Sequence, residues 1–255
     1  MSARLKQASR FALKHLAVSV VIAALCAALV FGVWYPYPYS QLAGGRELFT
    51  IVVSVDVIIG PLLSLVVFDP AKRKAELWRD IGFVFLAQVA ALAYGLHSVS
   101  EARPVWLAFE GDRFRIVAVP DIDLQKLPEA PAHLQRLSLS GPKLVGVRLL
   151  ESGDPGFLKS IEDALQGNHP AFRPERWIDF DGQRDLVVQR ARPVSELARF
   201  HPDRSAEVMA AIAEAGESET DLGYLPLLSQ KPDEWIVLVS RRDGEPRAYL
   251  RVGGP

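Results

Sequence analysis

Three long apolar runs in the first hundred residues constrain this fold more than any other feature of the sequence. Residues 16–35, 48–68 and 81–99 form runs of 20, 21 and 19 residues, in which Asp56 is the only formal charge. A helix of about 20 apolar residues crosses a hydrocarbon core about 30 Å thick. Surface helices of soluble domains carry a polar face, which these runs lack. The pattern predicts three membrane-spanning helices.

The first run has two rival interpretations, both as a cleaved signal. A secretory signal peptide has a shorter apolar core, typically about 7 to 15 residues, and a small-x-small cleavage site that is missing here. A lipoprotein signal requires a small residue directly before its cysteine, whereas Leu25 precedes Cys26. The run is therefore expected to remain in the protein as a span.

Basic residues near the spans predict the orientation. Four Lys or Arg residues precede the first span and four lie between the second and third, whereas the connection between the first and second carries only Arg46. Because Lys and Arg near span ends are retained in the cytoplasm, we expect residues 1–15 inside and residues 100–255 outside. An aromatic belt is then expected at the outer interface, formed by Trp34, Tyr35, Tyr37 and Tyr39.

The charge balance separates the chain into two unlike parts. The whole chain carries a formal charge of −1, which combines +4 over residues 1–100 with −5 over residues 101–255. Without a basic excess, a nucleic-acid-binding protein is not expected, and the apolar content argues against a disordered chain. The single cysteine, Cys26, excludes an internal disulfide and a cysteine-cluster metal site.

A polar group interrupts the second span near its middle. An aspartate there costs about 2.5 to 3.5 kcal/mol on insertion scales, and such a residue usually has a role. Pro61 follows Gly60 and lacks an N–H, so it is expected to free the carbonyl of Val57 beside Asp56. Two interpretations stay open: the group binds a partner's polar group or a proton, or Asp56 is protonated and bonds to another span, for example at Gln88.

Small residues recur every four positions on two of the spans. The rows are Ala24, Ala28 and Gly32 on the first span, with Ser19, Ala23 and Ala27 beside them, and Ala87, Ala91 and Gly95 on the third. Such rows let helices approach closely in lipid. Packing of the three spans against one another is the default explanation, and docking of a foreign transmembrane helix is the alternative.

The remaining 155 residues are enough for one folded domain with its own core. Strands are expected over 105–109 and 114–119 as a hairpin, over 145–150, and over 235–239 and 247–252 as a second hairpin. Helices are expected from Asp154 at the N-cap, with Pro155 in the first turn, up to Gly167, after Asp203 up to Gly216, and over 194–200. The fold class expected for the whole chain is a membrane α-helical bundle of three transmembrane helices plus a C-terminal α+β extracytoplasmic domain.

Motifs that carry chemistry are scarce in this outer part. It contains no GxSxG, HExxH, P-loop or GxGxxG sequence. Asp121 and Asp123 could bind a cation or form a solvated turn, and the arginine- and aromatic-rich stretch 169–177 could be an interface or a loop over the core. No catalytic residue, cofactor or metal is predicted.

The ordered features of the first 150 residues resemble a known family. They include FGVWYPYPY at the end of the first span, VDVIIGPLLSLVVF in the second, QVAALAYG in the third, and RPVWLAFEGDRFRIV after it. The sequence resembles the TfpX/TfpZ-type type IV pilin accessory proteins of Gram-negative bacteria, whereas residues 151–255 match only in outline.

The resemblance implies an inner-membrane protein that is not an enzyme and assists pilin expression, stability or pilus assembly. The implied partners are membrane lipid and the type IV pilin subunit, contacted at its N-terminal helix and its head domain. The candidate partner-binding residues are Asp56, Gly60, Pro61 and Gln88. The alternatives are a pilin-modifying membrane enzyme, which should show clustered acids or histidines, and a periplasmic sensor, which would need a larger cytoplasmic part.

Overall fold

The structure is a computed structural model that describes residues 3–229 and 235–251. The chain divides into two compact units, with the boundary between Arg103 and Pro104. The first, the membrane unit, holds the three apolar runs. The second, the outer domain, holds all the strands of the described chain. The expected class, membrane helices followed by an α+β domain, is confirmed.

The membrane unit is built from helices that extend beyond the apolar runs. Within residues 3–229 and 235–251, three helices are long and apolar enough to cross a membrane: Arg4–Trp34, Gly45–Val67 and Lys74–Glu101. Only 17%, 17% and 11% of the residues in their most apolar windows are buried, so most of this apolar surface faces outward, as lipid contact requires. The helical segments are α1 (Ala3–Leu29) with a π turn (Val30–Trp34), α2 (Tyr39–Leu42), α3 (Gly45–Ser54) with a π turn (Val55–Ile59), α4 (Gly60–Val67) and α5 (Lys74–Glu101).

Contacts at both ends show that the spans run up, down and up. At one end the Phe11 ring stacks on Phe68, with ring centroids 5.0 Å apart, so the start of the first span meets the end of the second. At the other end the Tyr35 hydroxyl donates to the Val99 carbonyl at 2.9 Å, joining the ends of the first and third spans. The first and third spans are therefore parallel.

Two tyrosines of the expected aromatic belt lie inside the protein. Tyr35 is fully buried and Tyr39 is 8% exposed, whereas Tyr37 remains 60% exposed. The Tyr35 ring occupies the space over Gly45, where any Cβ would overlap it. The expectation of a simple interfacial belt is wrong for Tyr35, because its hydroxyl finds a carbonyl partner between the spans.

The outer domain is a mixed sheet of eight strands covered by short helices. The strands are β1 (Pro104–Phe109), β2 (Phe114–Ala118), β3 (Lys143–Val147), β4 (Trp177–Ile178), β5 (Arg192–Pro193), β6 (Leu222–Leu228), β7 (Trp235–Ser240) and β8 (Pro246–Leu250). Their order is β4-β3-β1-β2-β6-β7-β8, with β5 paired to β6. Strand β1 is parallel to β3 and β2 is parallel to β6, and the other pairs are antiparallel.

Among its described residues the outer domain also has, besides short 3₁₀ turns, four α-helices: α6 (Phe157–Leu165), α7 (Arg184–Arg190), α8 (Val194–Phe200) and α9 (Ser205–Ala215). Helices α8 and α9 bury apolar residues such as Leu197 and Val208 against β6, β7 and β8. A second cluster lies around β1 and β3, where the Trp106 and Trp177 rings meet edge to face with centroids 5.5 Å apart. Each half of the sheet therefore has its own core.

Most outer elements expected from the sequence are present. Both hairpins form, and helices α6, α8 and α9 lie where they were predicted; Val252, the expected end of the last strand, lies outside the described residues. The expected start of α6 at Asp154 is wrong. Gly156 precedes the first turn with a φ of 82°, which glycine adopts without the strain that a Cβ would add. The side chain of Asp154 instead accepts from the backbone N–H of Glu151.

Candidate intramembrane site

The second span contains a π turn around Asp56. A π turn pairs the carbonyl of residue i with the N–H of residue i+5. For the Asp56 carbonyl that donor would be residue 61, which is Pro61 and has no N–H. In a regular α-helix Pro61 would leave the carbonyl of Val57 without a donor. In the π turn it leaves the carbonyl of Asp56 without one. The expectation that Val57 supplies the exposed carbonyl is therefore corrected by one residue.

Gln88 on the third span completes the hydrogen bonding of Asp56. Its Nε2 donates to the Asp56 backbone carbonyl at 3.2 Å and to Asp56 Oδ1 at 3.1 Å. One amide group thus serves both the carbonyl left by the π turn and the carboxyl group beside it. The pairing with Gln88 matches the partner named from the sequence, and it fixes the second and third spans together at this depth.

Gly60 provides the space in which the Gln88 amide lies. Gly60 is buried, and a Cβ added to it would overlap Nε2 and Cδ of Gln88. Any side chain at this position would therefore displace the Gln88 amide from its place beside Asp56. The structure brings together Asp56, Gly60, Pro61 and Gln88, the four candidate partner-binding residues.

A second polar contact, which the sequence reasoning missed, joins the first and second spans. His15 Nδ1 and Ser64 Oγ are 2.5 Å apart, and both Ser64 and Ser19 are buried. A cavity of about 60 Å³ lies among the three spans and is lined by His15, Ser19, Asp56 and Gln88 along with apolar side chains. It exceeds the roughly 15 Å³ that one water molecule needs, and its walls offer polar partners.

A larger groove opens between the second and third spans. Its volume is about 400 Å³ and its walls are mainly apolar, with Asp56, Gly60 and Gln88 among the lining residues. The small residues Ala87 and Ala91 also line it and are exposed. A neighbouring helix could therefore approach the backbone of the third span closely.

The two rows of small residues have different surroundings. Gly95 is buried under the Val52 side chain, so the end of the third-span row does pack between spans. The first-span row of Ala24, Ala28 and Gly32 is exposed, and a Cβ on Gly32 would meet nothing within 4 Å. The default explanation, packing within the bundle, is therefore wrong for these three residues, whereas it holds beside them for Ser19, which is buried, and for Ala27, which packs against the cluster around Val30.

The site contains one acceptor without a matching donor. Oε1 of Gln88 is buried and has no hydrogen-bond partner among the described residues. An unmatched buried acceptor costs free energy. A water molecule in the small cavity would satisfy it, and a donor from a partner helix in the groove would reach it after the Gln88 side chain turns toward the groove.

The candidates from the outer domain have structural roles. Asp121 accepts from the backbone N–H of Ala118, and Asp123 accepts from that of Gln125, so both acids shape turns. In the stretch 169–177, the Trp177 indole donates to the Ala171 carbonyl at 2.8 Å and both residues are buried. Within the described chain, no group of three or more His, Cys, Asp or Glu side chains is placed to hold a metal ion.

Comparisons with known proteins identify relatives along nearly the whole chain. Residues 3–44 match the family described as "Fimbrial assembly protein FimB". The chain is 31% identical over 241 residues to "Fimbrial assembly protein, serogroup I" of Dichelobacter nodosus, covering 92% of this chain and 93% of the relative. The serogroup E1 protein of that organism matches with the same identity and coverage. "Fimbrial assembly protein, serogroups C1 and C2" of the same organism is 40% identical over 129 residues, which cover 49% of this chain and 98% of that relative. No solved structure matches.

Proposed function

The chain belongs to the family of fimbrial assembly proteins, and on that basis we propose that it is an inner-membrane accessory protein that binds type IV pilin subunits before pilus assembly. It acts as a chaperone does, by binding and releasing the subunit without catalysing a reaction. The likeness to TfpX/TfpZ-type proteins across the spans and the first hairpin supports pilin as the partner.

One structural observation carries the proposal: a polar site inside the membrane unit borders a groove wide enough for contact with another helix. Asp56 and Gln88 line a groove of about 400 Å³ together with Ala91, and an acceptor of Gln88 has no partner. Transmembrane helices associate through close packing at small residues and through interhelical hydrogen bonds. The groove therefore suits the membrane helix of a pilin subunit that carries a hydrogen-bond donor.

We also propose that the outer domain lies in the periplasm of a Gram-negative bacterium. The basic residues before the first span and between the second and third favour the cytoplasm, and the up-down-up order of the spans then puts residues after Arg103 on the other side. A subunit held at the groove would have its head on the same side as the outer domain.

The orientation predicts opposite behaviour for fusions at two positions. Alkaline phosphatase folds only where disulfides form, so it should be active when fused after Arg251 and inactive when fused after Lys72 in the loop between the second and third spans. Fusions to a cytoplasmic fluorescent reporter should give the reverse pattern. Phosphatase activity at Lys72 and none at Arg251 would overturn the proposed orientation.

Binding to pilin is tested by co-purification from a piliated strain. The affinity-tagged full-length protein, extracted from membranes in mild detergent, is expected to carry pilin with it, and deletion of its gene should reduce surface pili. A tagged single-span inner-membrane protein of equal abundance is the control. Equal recovery of pilin on both proteins, with unchanged pili in the deletion strain, would rule out the proposed function.

A further inference from the structure

A second candidate site is a cleft in the outer domain. It has a volume of about 910 Å³ and lies where the parallel strands β1 and β3 end. Its walls come from the turn of the first hairpin, the residues after β3, helix α6 and helix α7. The cleft is thus formed by segments that are far apart in the sequence, and it lies entirely within one folded unit.

The acids of the first hairpin are already paired within the cleft wall. Glu110 is 6% exposed, and its two oxygens accept from the Ala171 N–H at 3.1 Å and from Arg115 Nε at 2.7 Å. Asp112 pairs with Arg113 through two bonds of 2.6 and 2.8 Å. The charges of these acids and their arginines cancel. The net charge of the cleft is therefore set by its other charged residues.

Two further arginines of the cleft form no ion pair among the described residues, although the pKa of Asp112 is lowered first by its bond to Arg113 and also by the charge of Arg190. Arg148 and Arg190 line the cleft, are exposed, and form no ion pair with another residue in the described ranges. Glu151 is the one further acid on the wall, so the cleft carries a net positive charge. His169 also lines the cleft, and burial first, and then the charge of Arg115, lowers its pKa below the usual value.

An apolar helix face borders the same cleft. Leu158, Ile161 and Leu165 on α6 are 78%, 45% and 85% exposed, and Ile161 and Leu149 are part of the cleft wall. A helix that lies on an anionic membrane usually has a basic polar face. Helix α6 carries one lysine and two acids, and the arginines lie in a concave cleft that a bilayer surface does not enter. These features favour a protein segment.

We propose that this cleft binds an acidic segment of the pilin head, with a carboxylate pairing with Arg148 and Arg190 and an apolar side chain packing on Ile161. This inference rests on the proposed function, and it assigns the outer domain a second contact with the subunit. Arginine binds carboxylates through paired hydrogen bonds, and an adjoining apolar surface adds to the affinity.

The test is photo-cross-linking from the full-length protein in a piliated strain. Benzoylphenylalanine replaces Ile161 in the cleft, and in the control it replaces Leu139, which is 68% exposed and lies outside the cleft. A pilin adduct is expected from position 161 and not from position 139. Arg148→Glu with Arg190→Glu should lower the adduct at least tenfold, whereas Arg199→Glu with Arg241→Glu, an equal charge change at exposed residues outside the cleft, should not.

Every other outcome overturns the cleft proposal. An adduct with a second copy of the chain, with lipid, or with pilin but insensitive to the charge reversal means that the cleft does not recognise an acidic pilin segment. If pilin still co-purifies while no adduct forms at position 161, the cleft proposal fails and the proposed function stands. If pilin does not co-purify with the unmodified protein, both fail.

Discussion

Asp56→Ala is expected to lower the recovery of pilin about 3- to 30-fold while costing the membrane unit no more stability than one interhelical bond. The variant loses the 3.1 Å bond to Gln88 but keeps the bond from Gln88 to the backbone carbonyl. An interhelical hydrogen bond in lipid contributes about 0.6 to 2 kcal/mol. If the complex with pilin loses one such bond, its affinity falls by about 3- to 30-fold.

The insertion cost of an aspartate near the bilayer centre, about 2.5 to 3.5 kcal/mol, applies whether or not the spans are packed together, so its removal does not stabilise the packed bundle. Loss of the bond to Gln88 should lower that stability by no more than the roughly 0.6 to 2 kcal/mol that one interhelical bond contributes. A much larger loss of pilin recovery than of folded protein would therefore point to a role in binding.

Two measurements separate these possibilities: the amount of pilin recovered with the tagged protein, and its thermal unfolding in detergent. Thr50→Ala serves as the control, because it removes a polar group from the same span whose hydroxyl bonds within its own helix, to the Arg46 carbonyl at 2.7 Å. If the loss of pilin recovery disappears when the variant and the unmodified protein are compared at equal amounts of folded protein, Asp56 is structural and the binding role is lost.

Gly60→Ala is the second variant with a large expected effect. The added Cβ occupies the position of the Gln88 amide, so that the amide must move away from Asp56. The displaced group is the far end of a flexible side chain, and alanine favours the helix over glycine by up to about 1 kcal/mol. We expect a small change in stability but a loss of pilin recovery and surface pili similar to that of Asp56→Ala.

Gly82→Ala provides the matched control, since the same methyl group there meets nothing within 4 Å and Gly82 lies outside the groove. A double-mutant cycle with Gln88→Ala adds a second check. If Gly60 acts through Gln88, adding Gly60→Ala to Gln88→Ala should cause no further loss of pilin recovery. Additive losses, or a Gly82→Ala variant as impaired as Gly60→Ala, would show that Gly60 acts in another way.

The sequence predicts the outer elements where local signals are strong and misses strand β6. Gly223 and Pro226 both argue against a strand there. In the structure Gly223 lies against Ala191, where a Cβ would approach the Ala191 Cβ to 2.7 Å. On one edge of β6, strand β5 pairs with Gly223 and Tyr224 and strand β2 pairs with Leu227 and Leu228. Pro226 lies between these two pairings, so its lack of an N–H breaks no hydrogen bond on that edge. Only the tertiary arrangement makes both residues acceptable.

The intramembrane site was partly predictable for a physical reason. Asp56, Pro61 and Gln88 stand out because polar residues and proline are unusual in apolar runs. The π turn, and with it the shift from the Val57 to the Asp56 carbonyl, depends on hydrogen bonding that spacing does not reveal. The His15–Ser64 contact and the cleft with Arg148 and Arg190 join residues 49 and 42 positions apart, which no local pattern relates.

The central claim is that a pilin subunit occupies the groove beside Asp56 and Gln88. Photo-cross-linking in native membranes tests it most directly, with benzoylphenylalanine at Ala91 in the groove or at Ala93, which is exposed about 200° around the same helix and lies outside the groove. We predict a pilin adduct from position 91 at least five times that from position 93, and its loss when Asp56→Ala is added. Equal yields from the two positions, or an adduct at position 91 that Asp56→Ala leaves unchanged, would contradict the account.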